Sequence, residues 1–410
     1  MSRRMVAMCC TLAASLATAC GGDTRGRVVA AVTRDSAGIH IVESLAPRSS
    51  GLADSAFLRV DPEPVLTVGV EEGDEPYLLH RVSDALRLPD GGIAISNSST
   101  GEIRLFDSAG RYLRSVGRKG AGPGEFSEYS TMSLYPAGDS VFALDNGAFR
   151  LHLFGPDMRY VETRPFAVTS SGGHPFMRGI FADGSLLTRA FENGGALNGP
   201  PGTVVRMPYA LLHYDAKGRL VNEIVKLDSH LRFVHQFGQG IHFPAIPLSV
   251  DPLDAVSGND VYVLRGPKAE LEAYDHSGRL TRLVRWARQP TRAPDVWPQI
   301  KERSLAAMSV GDRAVYVDYY ARDLPIPEFA PAYTTMHIDA SRRIWLQRYD
   351  FESEAAPPTW DVLASDGAWL GLVQTPRGFE LYRIGKDYLV GRRIDSLGVE
   401  RVQVLRTHAR

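Results

Sequence analysis

The sequence predicts an all-β fold of short antiparallel strands, and the prediction rests on two repeated patterns. The first pattern is an apolar or aromatic pair, an acidic turn with glycine, a basic residue and a second apolar strand. Clear copies are Leu105–Leu113, Leu212–Leu220 and Ala273–Leu280, and looser ones are Leu153–Tyr160 and Val362–Trp369. Each copy is typical of a β-hairpin, because Asp and Gly tolerate the positive φ of a tight turn. Repetition at spacings of tens of residues indicates a repeat architecture.

The second pattern is a polar or glycine-containing turn followed by an apolar strand, and it counts the repeats. It occurs at 90–95, 138–143, 183–187, 258–263, 341–346 and 385–390. An apolar segment precedes each copy and is expected to be the innermost strand of its unit. Four-stranded units of this length are typical of propeller blades. We therefore predict a six-bladed β-propeller of four-stranded antiparallel blades over residues 37–410.

Closure of the ring is expected to need the N-terminal part of the chain. The last repeat lacks an outer strand, while the segments 38–43 and 57–68 have no blade of their own. An N-terminal strand paired with the last blade would close the ring and remove two open sheet edges. One helical and loop insertion is predicted at about 288–333, with a helix over 294–308 that has proline near its start.

The first 19 residues have the features of a signal peptide. Two arginines precede an apolar run over 5–16, which is too short to span a bilayer as a helix. The following Leu-Ala-Thr-Ala-Cys resembles the lipobox of bacterial lipoproteins, which implies cleavage before Cys20 and lipidation of its sulfur. Residues 20–36 would then be a tether, and the protein would be exported and lipid-anchored to a bacterial membrane, on the periplasmic side or at the cell surface. An ordinary secretory signal with an incidental cysteine is the alternative.

The composition narrows the class of partner. Lys and Arg number 46 against 47 Asp and Glu, and a net charge of −1 argues against a nucleic-acid-binding protein. Cys9 and Cys10 would leave with the signal, so Cys20 alone would remain and no disulfide is expected within the mature chain. No G-x-S-x-G or H-E-x-x-H signature is present.

One linker carries a family pattern. Residues 116–126, V-G-R-K-G-A-G-P-G-E-F, resemble the G-x-G-x-G-x-F linker of NHL-type repeats. The chain as a whole resembles the six-bladed propeller lipoproteins of that broad group. The glycines suit a tight crossing from the outer strand of one blade to the inner strand of the next. Similar folds include lactonases and a lyase that hold a metal in the channel, so the resemblance also implies a metal-dependent hydrolase or lyase as an alternative function.

Long loops on one face of the ring predict the functional surface. With strands labelled a to d from the channel outward, the b–c loops at 189–209 and 349–360 are long, and so are the d–a crossings at 228–246 and 288–333. Insertions on one face of a repeat ring usually build a binding face. We therefore predict a non-catalytic module that binds a ligand or protein through this long-loop face. Aromatic residues expected there, suited to a glycan or peptide, are Tyr349, Phe351, Trp360, Trp297, Phe329 and Tyr333.

One residue near the end of each second strand is expected to point into the rim of this face. The six ligand-binding candidates are Asn97, Asp145, Arg189, Arg265, Arg348 and Arg392. Guanidinium groups suit carboxylates and phosphates, so the four arginines predict a half-ring for an anionic small molecule, a glycan or a peptide. Alternatively, the arginines pair with loop carboxylates such as Glu192, Asp350 or Glu352 and fix the loops.

Three histidines of one loop, His230, His235 and His242, are candidate metal ligands. Imidazole binds Zn, Cu and Ni, but these spacings match no ligand signature. No cofactor is therefore expected, and a divalent metal such as calcium in the channel remains the alternative.

Overall fold

The computed structural model describes residues 31–44, 57–128, 130–165, 176–192, 197–351 and 356–409. Six antiparallel sheets, blades 1–6, each run from a strand a to a strand d. The six a strands contact one another in chain order, and the sixth contacts the first. The sheets therefore close into a ring around a central channel, which confirms the predicted six-bladed β-propeller.

In blades 1–5, strands a to d follow one another in chain order, with the loop strand β14 falling between strands b and c of blade 3. N-terminal strands join blades 4 and 6. In order a to d, the strands of blades 1–3 are β4 (Val82–Arg87), β5 (Ile93–Asn97), β6 (Glu102–Phe106) and β7 (Tyr112–Val116); β8 (Met132–Ala137), β9 (Ser140–Asp145), β10 (Arg150–Phe154) and β11 (Tyr160–Pro165); β12 (Phe176–Ile180), β13 (Leu186–Phe191), β15 (Pro208–Tyr214) and β16 (Leu220–Asp228). The strands of blades 4–6 are β20 (Leu253–Ser257), β21 (Asp260–Leu264), β22 (Glu270–Asp275) and β23 (Leu280–Trp286); β24 (Tyr333–Ile338), β25 (Ile344–Arg348), β26 (Thr359–Leu363) and β27 (Trp369–Gln374); β28 (Phe379–Ile384), β29 (Tyr388–Ile394), β30 (Glu400–Ala409) and β3 (Leu58–Val68). Two small ladders lie in loops, β14 (Val204–Val205) with β17 (Arg232–Phe233) and β18 (His235–Phe237) with β19 (Gly240–His242), and a short 3-10 helix spans Glu75–Tyr77.

The repeated hairpin pattern forms the c–d turn of blades 1, 3 and 4. Asp107, Asp215 and Asp275 each accept hydrogen bonds from backbone N–H groups two and four residues later and pair with the arginine four residues later. The glycine three residues after each aspartate has a φ between +78° and +88°, where glycine is favoured. Although burial raises the pKa of Asp275, hydrogen bonds from the turn lower it to about 2. The turn chemistry therefore accounts for the repeat.

The glycine-rich linker crosses from β7 to β8 at close quarters. Gly117 has a φ of +77°, and a Cβ at this position would lie 2.5 Å from the ring of Phe126. Phe126 is fully buried and contacts the His152 ring at a centroid distance of 5.1 Å. The tight crossing expected from the sequence is therefore present.

An N-terminal strand closes the ring. β3 pairs antiparallel with β30, from Leu58 opposite Ala409 to Val68 opposite Val402, and becomes strand d of blade 6. This pairing confirms the predicted closure. It joins the two ends of the chain, so that the sixth blade has four strands like the others.

Side chains of blade 6 bind the first strand of blade 1 next to this closure. The buried carboxylate of Glu400 accepts hydrogen bonds from the backbone N–H groups of Arg81 (3.1 Å) and Val82 (2.6 Å). Tyr382 donates its hydroxyl proton to the carbonyl of Val82 at 3.1 Å. Arg392 lies 3.4 Å from the same glutamate. We call this set of contacts the seam.

A second N-terminal element has a position that the sequence did not predict. The hairpin of β1 (Ala31–Ser36) and β2 (Ile39–Ser44) joins the outer edge of blade 4, with β2 parallel to β23. Val42 is buried in the core of blades 4 and 5, and the Ser44 hydroxyl accepts the backbone N–H of Trp369. The predicted tether, 20–36, overlaps β1. Residues 31–36 of this segment form a strand that pairs with β2. The predicted signal peptide and Cys20 lie outside the described residues.

The insertion between blades 4 and 5 contains two helices, α1 (Ala293–Ala307) and α2 (Val310–Tyr320). The first matches the predicted helix to within one residue, whereas the second was not predicted. Ile300 of α1 packs with Leu248, and Tyr319 of α2 packs with Phe233. Both helices therefore cover the long crossing that follows blade 3. No helix among the described residues is long and apolar enough to cross a bilayer.

Replacing Glu400 with Ala should weaken the ring at the seam. Two backbone N–H groups would lose a charged acceptor, which should lower the free energy of unfolding by about 2–4 kcal/mol. Urea denaturation of the variant and the parent measures this difference. The matched control is Glu71→Ala, because Glu71 is exposed. Equal stabilities of the two variants would contradict a stabilising role of the seam.

Candidate functional site

The six residues predicted from the b strands lie on one face of the ring. Each stands at the end of strand b, opposite or next to the first residue of strand a, as in the pairs Asn97 with Val82 and Arg348 with Tyr333. The b–c loops and d–a crossings leave the sheets at this same end. The strand ends therefore share a face with the long loops.

Of the six predicted residues, Asn97 and Asp145 are the two that are not arginine, and both bind neighbouring loop residues. Asn97 accepts the backbone N–H of His80 and donates to two hydroxyl groups of the b–c turn. Asp145 accepts the Ser127 hydroxyl at 2.6 Å and pairs with Arg150 at 2.9 Å. Burial raises the pKa of Asp145, but these hydrogen bonds outweigh it and lower the pKa to about 2. Both side chains are thus engaged in holding loops.

Each of the four arginines pairs with its own carboxylate. The pairs are Arg189 with Asp251 and Asp254, Arg265 with Glu272, Arg348 with Asp361, and Arg392 with Glu380 and Glu400. Most of these partners lie on strands, not in the loops named from the sequence. Of those loop carboxylates, Glu192 pairs with Lys226, and Glu352 lies outside the described residues. A ligand-binding role for the six residues as one set stays a prediction.

The three loop histidines have different surroundings. His230 Nδ1 lies 2.7 Å from Asp251, and buried His235 lies 3.3 Å from Asp318. His242 is exposed and opposite His235 in the β18–β19 ladder. Across the described ranges, no group of three or more His, Cys, Asp or Glu residues is placed to hold a metal ion. A metal-binding role for these histidines stays a prediction.

The long-loop face carries a cleft beside blade 5. Its volume is 620 Å³, within the range of about 300–1,000 Å³ typical of small-molecule sites. The lining combines strand ends of blade 5, its b–c loop and the helical insertion. The polar lining residues are Arg288, Arg303, Thr334, Gln347, Arg348, Asp350, Thr359 and Gln374. This cleft is therefore a candidate ligand site on the described part of the long-loop face.

A buried carboxylate, Asp361, organises the wall of the cleft. Nε and Nη2 of Arg348 bind its two oxygens at 2.9 Å each, and Nη1 of Arg288 lies 3.6 Å from Oδ2. The Tyr333 hydroxyl and Trp369 Nε1 each donate to it at 2.8 Å. Burial and the neighbouring carboxylate raise the pKa of Tyr333, so that its hydroxyl remains a donor. We call these five side chains the Asp361 cluster.

The Asp361 cluster keeps an excess of positive charge. It contains two guanidinium groups and one carboxylate, so one positive charge is uncompensated within it. Burial lowers the pKa of Arg348, but the hydrogen bonds and charge of Asp361 outweigh this and raise it. The side chains of Arg288 and Arg348 are 20% and 34% exposed, so both remain accessible from the cleft.

Aromatic side chains contribute to one side of the cleft. The rings of Tyr349 and Phe351 are stacked, with centroids 4.6 Å apart and planes at 25°. Two of the other aromatic residues expected on this face are core residues, since Trp360 and Tyr333 are 2% and 1% exposed. They are buried because their strands pack between neighbouring blades, so they cannot contact a ligand directly.

Sequence reasoning named Arg348 but not its partners. Asp361 lies within the strand Thr359–Leu363, which is otherwise largely apolar. A charged residue inside a buried strand is the signal that would have found it, because a buried charge needs a partner. Nothing in the local sequence distinguishes Arg288, which lies in the long crossing.

Comparisons with known proteins agree on the kind of fold. A family model described as a 6-bladed beta-propeller, DUF5128, matches residues 73–176. With the six sheets, this match confirms the resemblance to six-bladed propellers. No curated protein matches the chain.

Three solved structures illustrate the range of similar proteins. A candidate exported protein from Bacteroides fragilis is 11% identical, over 90% of this chain and 99% of that one, with a TM-score of 0.46. A virginiamycin B lyase from Staphylococcus aureus is 9% identical, over 85% and 99%, with a TM-score of 0.38. A gluconolactonase from Xanthomonas campestris is 10% identical, over 84% and 99%, with a TM-score of 0.39. At such identities, their activities carry no argument for this chain.

Replacing Asp361 with Asn should destabilise the protein strongly. The change leaves two partly buried guanidinium groups without a counter-charge, and loss of one partner of a buried ion pair costs about 3–5 kcal/mol. Thermal and urea denaturation measure the loss. The matched control is Asp228→Asn, whose exposed pair with Arg206 should contribute less than about 1 kcal/mol. Similar losses for the two variants would show that the Asp361 cluster is not an organising element.

Proposed function

We propose that this protein is an exported, membrane-tethered propeller that binds an acidic sugar, such as a uronic acid, in the blade 5 cleft of its long-loop face. The observation that carries the proposal is the pair of guanidinium groups of Arg288 and Arg348 held against the single carboxylate of Asp361. The remaining positive charge favours a carboxylate ligand, and guanidinium groups bind carboxylates with defined geometry.

The rest of the lining suits a sugar ring. The amides of Gln347 and Gln374 offer both donors and acceptors, which matches the dual character of sugar hydroxyl groups. The stacked rings of Tyr349 and Phe351 offer an apolar surface for the C–H face of a ring. We propose recognition of the sugar without chemical conversion, because the guanidinium groups, the amides and the stacked rings of this lining all suit binding.

The position of the N-terminal hairpin supports a tether on the same side as the cleft. Ala31 pairs with Ser44, and Ser44 pairs with Trp286 at the end of strand d of blade 4. Strand d ends at the long-loop face, so the chain joins the propeller there. If Cys20 carries a lipid, the segment 20–30 reaches at most about 40 Å. The cleft would then face the membrane side, within reach of surface glycans.

The ligand proposal is tested by titration calorimetry with D-glucuronate on the mature protein. Glucuronate should bind and glucose should not, because only the former carries the carboxylate. Arg288→Met keeps an unbranched apolar side chain and removes the guanidinium group, which lies over the Tyr333 ring at 5.0 Å. It should weaken glucuronate binding about tenfold or more, as expected for one charge-assisted hydrogen bond.

The matched control for this variant is Arg206→Met, which removes an exposed arginine on another part of the same face. This control should bind glucuronate like the parent. Equal binding of glucose and glucuronate, or unchanged affinity in Arg288→Met, would contradict the proposed site.

The anchor is tested separately by Cys20→Ala in cells. The variant should move from the membrane fraction to the soluble exported fraction, because the sulfur that would carry the lipid is absent. Fractionation and immunoblotting measure the distribution, with Cys10→Ala as control. Retention of Cys20→Ala in membranes would overturn lipid anchoring without affecting the ligand proposal.

A further inference from the structure

The central channel contains a second polar cavity, separate from the blade 5 cleft. Its volume is 530 Å³, and the a strands of all six blades line it. One lining residue from each blade, in order, is Leu86, Tyr135, Arg178, Asp254, His337 and Arg383. The cavity also reaches Ala340 and Gly385, in the a–b turns. It therefore lies toward the face opposite the long loops.

The acidic groups of this channel are occupied by the wall itself. Asp254 accepts two contacts from Nε of Arg178, at 2.7 and 3.0 Å, and one from Arg189 at 3.1 Å. Asp84 accepts the backbone N–H groups of Ala85 and Leu134, at 2.8 Å each, and is also bound by Arg383. Both carboxylates are thus used to join neighbouring blades.

Like Asp254, Asp339 lines the cavity, and it is saturated as well. It accepts two backbone N–H groups of its own turn, Nε of Arg343 and Nε1 of Trp345. Asp254 and Asp339 are the acidic side chains of the described lining, so both of its carboxylates are occupied. The channel therefore offers few acceptors to a ligand.

By contrast, several hydrogen-bond donors of the channel wall have no acceptor among the described residues. Arg178 uses Nε for Asp254, and its two terminal nitrogens make no hydrogen bond with the described residues; its side chain is 37% exposed. The ring nitrogens of His337 likewise make no hydrogen bond within the described part of the chain. Burial and the charge of Arg383 lower the His337 pKa to about 4, so the ring is neutral at pH 7 and carries one N–H donor.

Tyr135 completes this arrangement. Its pKa is raised by burial, against the effects of Arg178 and Arg383, so its hydroxyl stays protonated. At the mouth, Arg87 adds a further positive charge and lies over the Tyr388 ring at 4.6 Å. The accessible groups are therefore a guanidinium, an imidazole and a phenol, which come from three different blades.

We propose that this channel binds a small oxyanion, held by the terminal nitrogens of Arg178, with His337 and Tyr135 as further donors. Excess donors around a cavity with saturated carboxylates suit a ligand that brings only acceptors and negative charge. Carboxylate and phosphate share this chemistry. The site is distinct from the cleft, and it does not depend on the proposed acidic-sugar ligand.

The proposal is tested by calorimetry on the mature protein with succinate and inorganic phosphate, and with succinamide as the neutral counterpart of succinate. At least one of the two anions should bind with 1:1 stoichiometry, and succinamide should not. The anion that binds identifies the source of the oxyanion. NMR titration of the histidine rings should show the His337 pKa rising on binding, because a nearby anion favours the imidazolium form.

Two channel variants and one control variant outside both sites locate the anion site. Arg178→Gln and His337→Gln should each weaken anion binding about tenfold. His337→Gln breaks no hydrogen bond of the described wall, so it remains informative if Arg178→Gln fails to fold because Asp254 loses one of its two arginine partners. Arg206→Met, which removes an exposed arginine outside both proposed sites, should leave succinate and phosphate binding unchanged. Absence of binding by both anions, equal binding of succinamide, or full affinity in His337→Gln would overturn the proposal.

Discussion

Closure of the ring by β3 on β30 is the constraint on which the rest of the structure depends. A propeller blade buries both faces against its neighbours, so an incomplete sixth blade would expose core residues of blades 1 and 5 as well as a free sheet edge. The seam strengthens this closure with Glu400, Tyr382 and Arg392, which bind strand β4 or its preceding residue. Closure also fixes the geometry of the channel, because the a strands contact one another only around a complete ring.

Buried carboxylates position the arginine side chains of both candidate sites. Asp361 holds two arginines at the cleft. Across blade boundaries near the channel, Asp254 pairs with Arg178 and Arg189, and Asp84 pairs with Arg383. A buried carboxylate without a partner is costly, so each one fixes the guanidinium group that pairs with it. The two sites differ in the groups that these carboxylates leave available. The cleft keeps one uncompensated positive charge, whereas the channel keeps nitrogen donors that make no hydrogen bond with the described residues. The two cavities also lie toward opposite faces of the ring.

The elements added to the ring are concentrated around blades 4 and 5. The hairpin β1–β2 extends blade 4, and helices α1 and α2 follow its last strand. The cleft lies between this insertion and blade 5, next to the place where the N-terminal hairpin joins the propeller. The N-terminal hairpin, a covering insertion and a candidate binding site are thus brought to one sector, whereas the channel cavity lies on the side of short, regular turns.

The sequence by itself determined the blades, because turn chemistry is local: the Asp and Gly of the c–d turns act within five residues, and the six turns between strands a and b count the units. It also predicted closure, from strands that lacked a blade. Only the tertiary structure decided the partners. Whether Arg348 faces Asp361 or a loop carboxylate depends on strand register and on packing between blades, which no periodicity encodes. For the same reason, the parallel pairing of β2 with β23, more than 200 residues apart in the chain, and the meeting of Tyr135, Arg178 and His337 in the channel were decided by the closed ring.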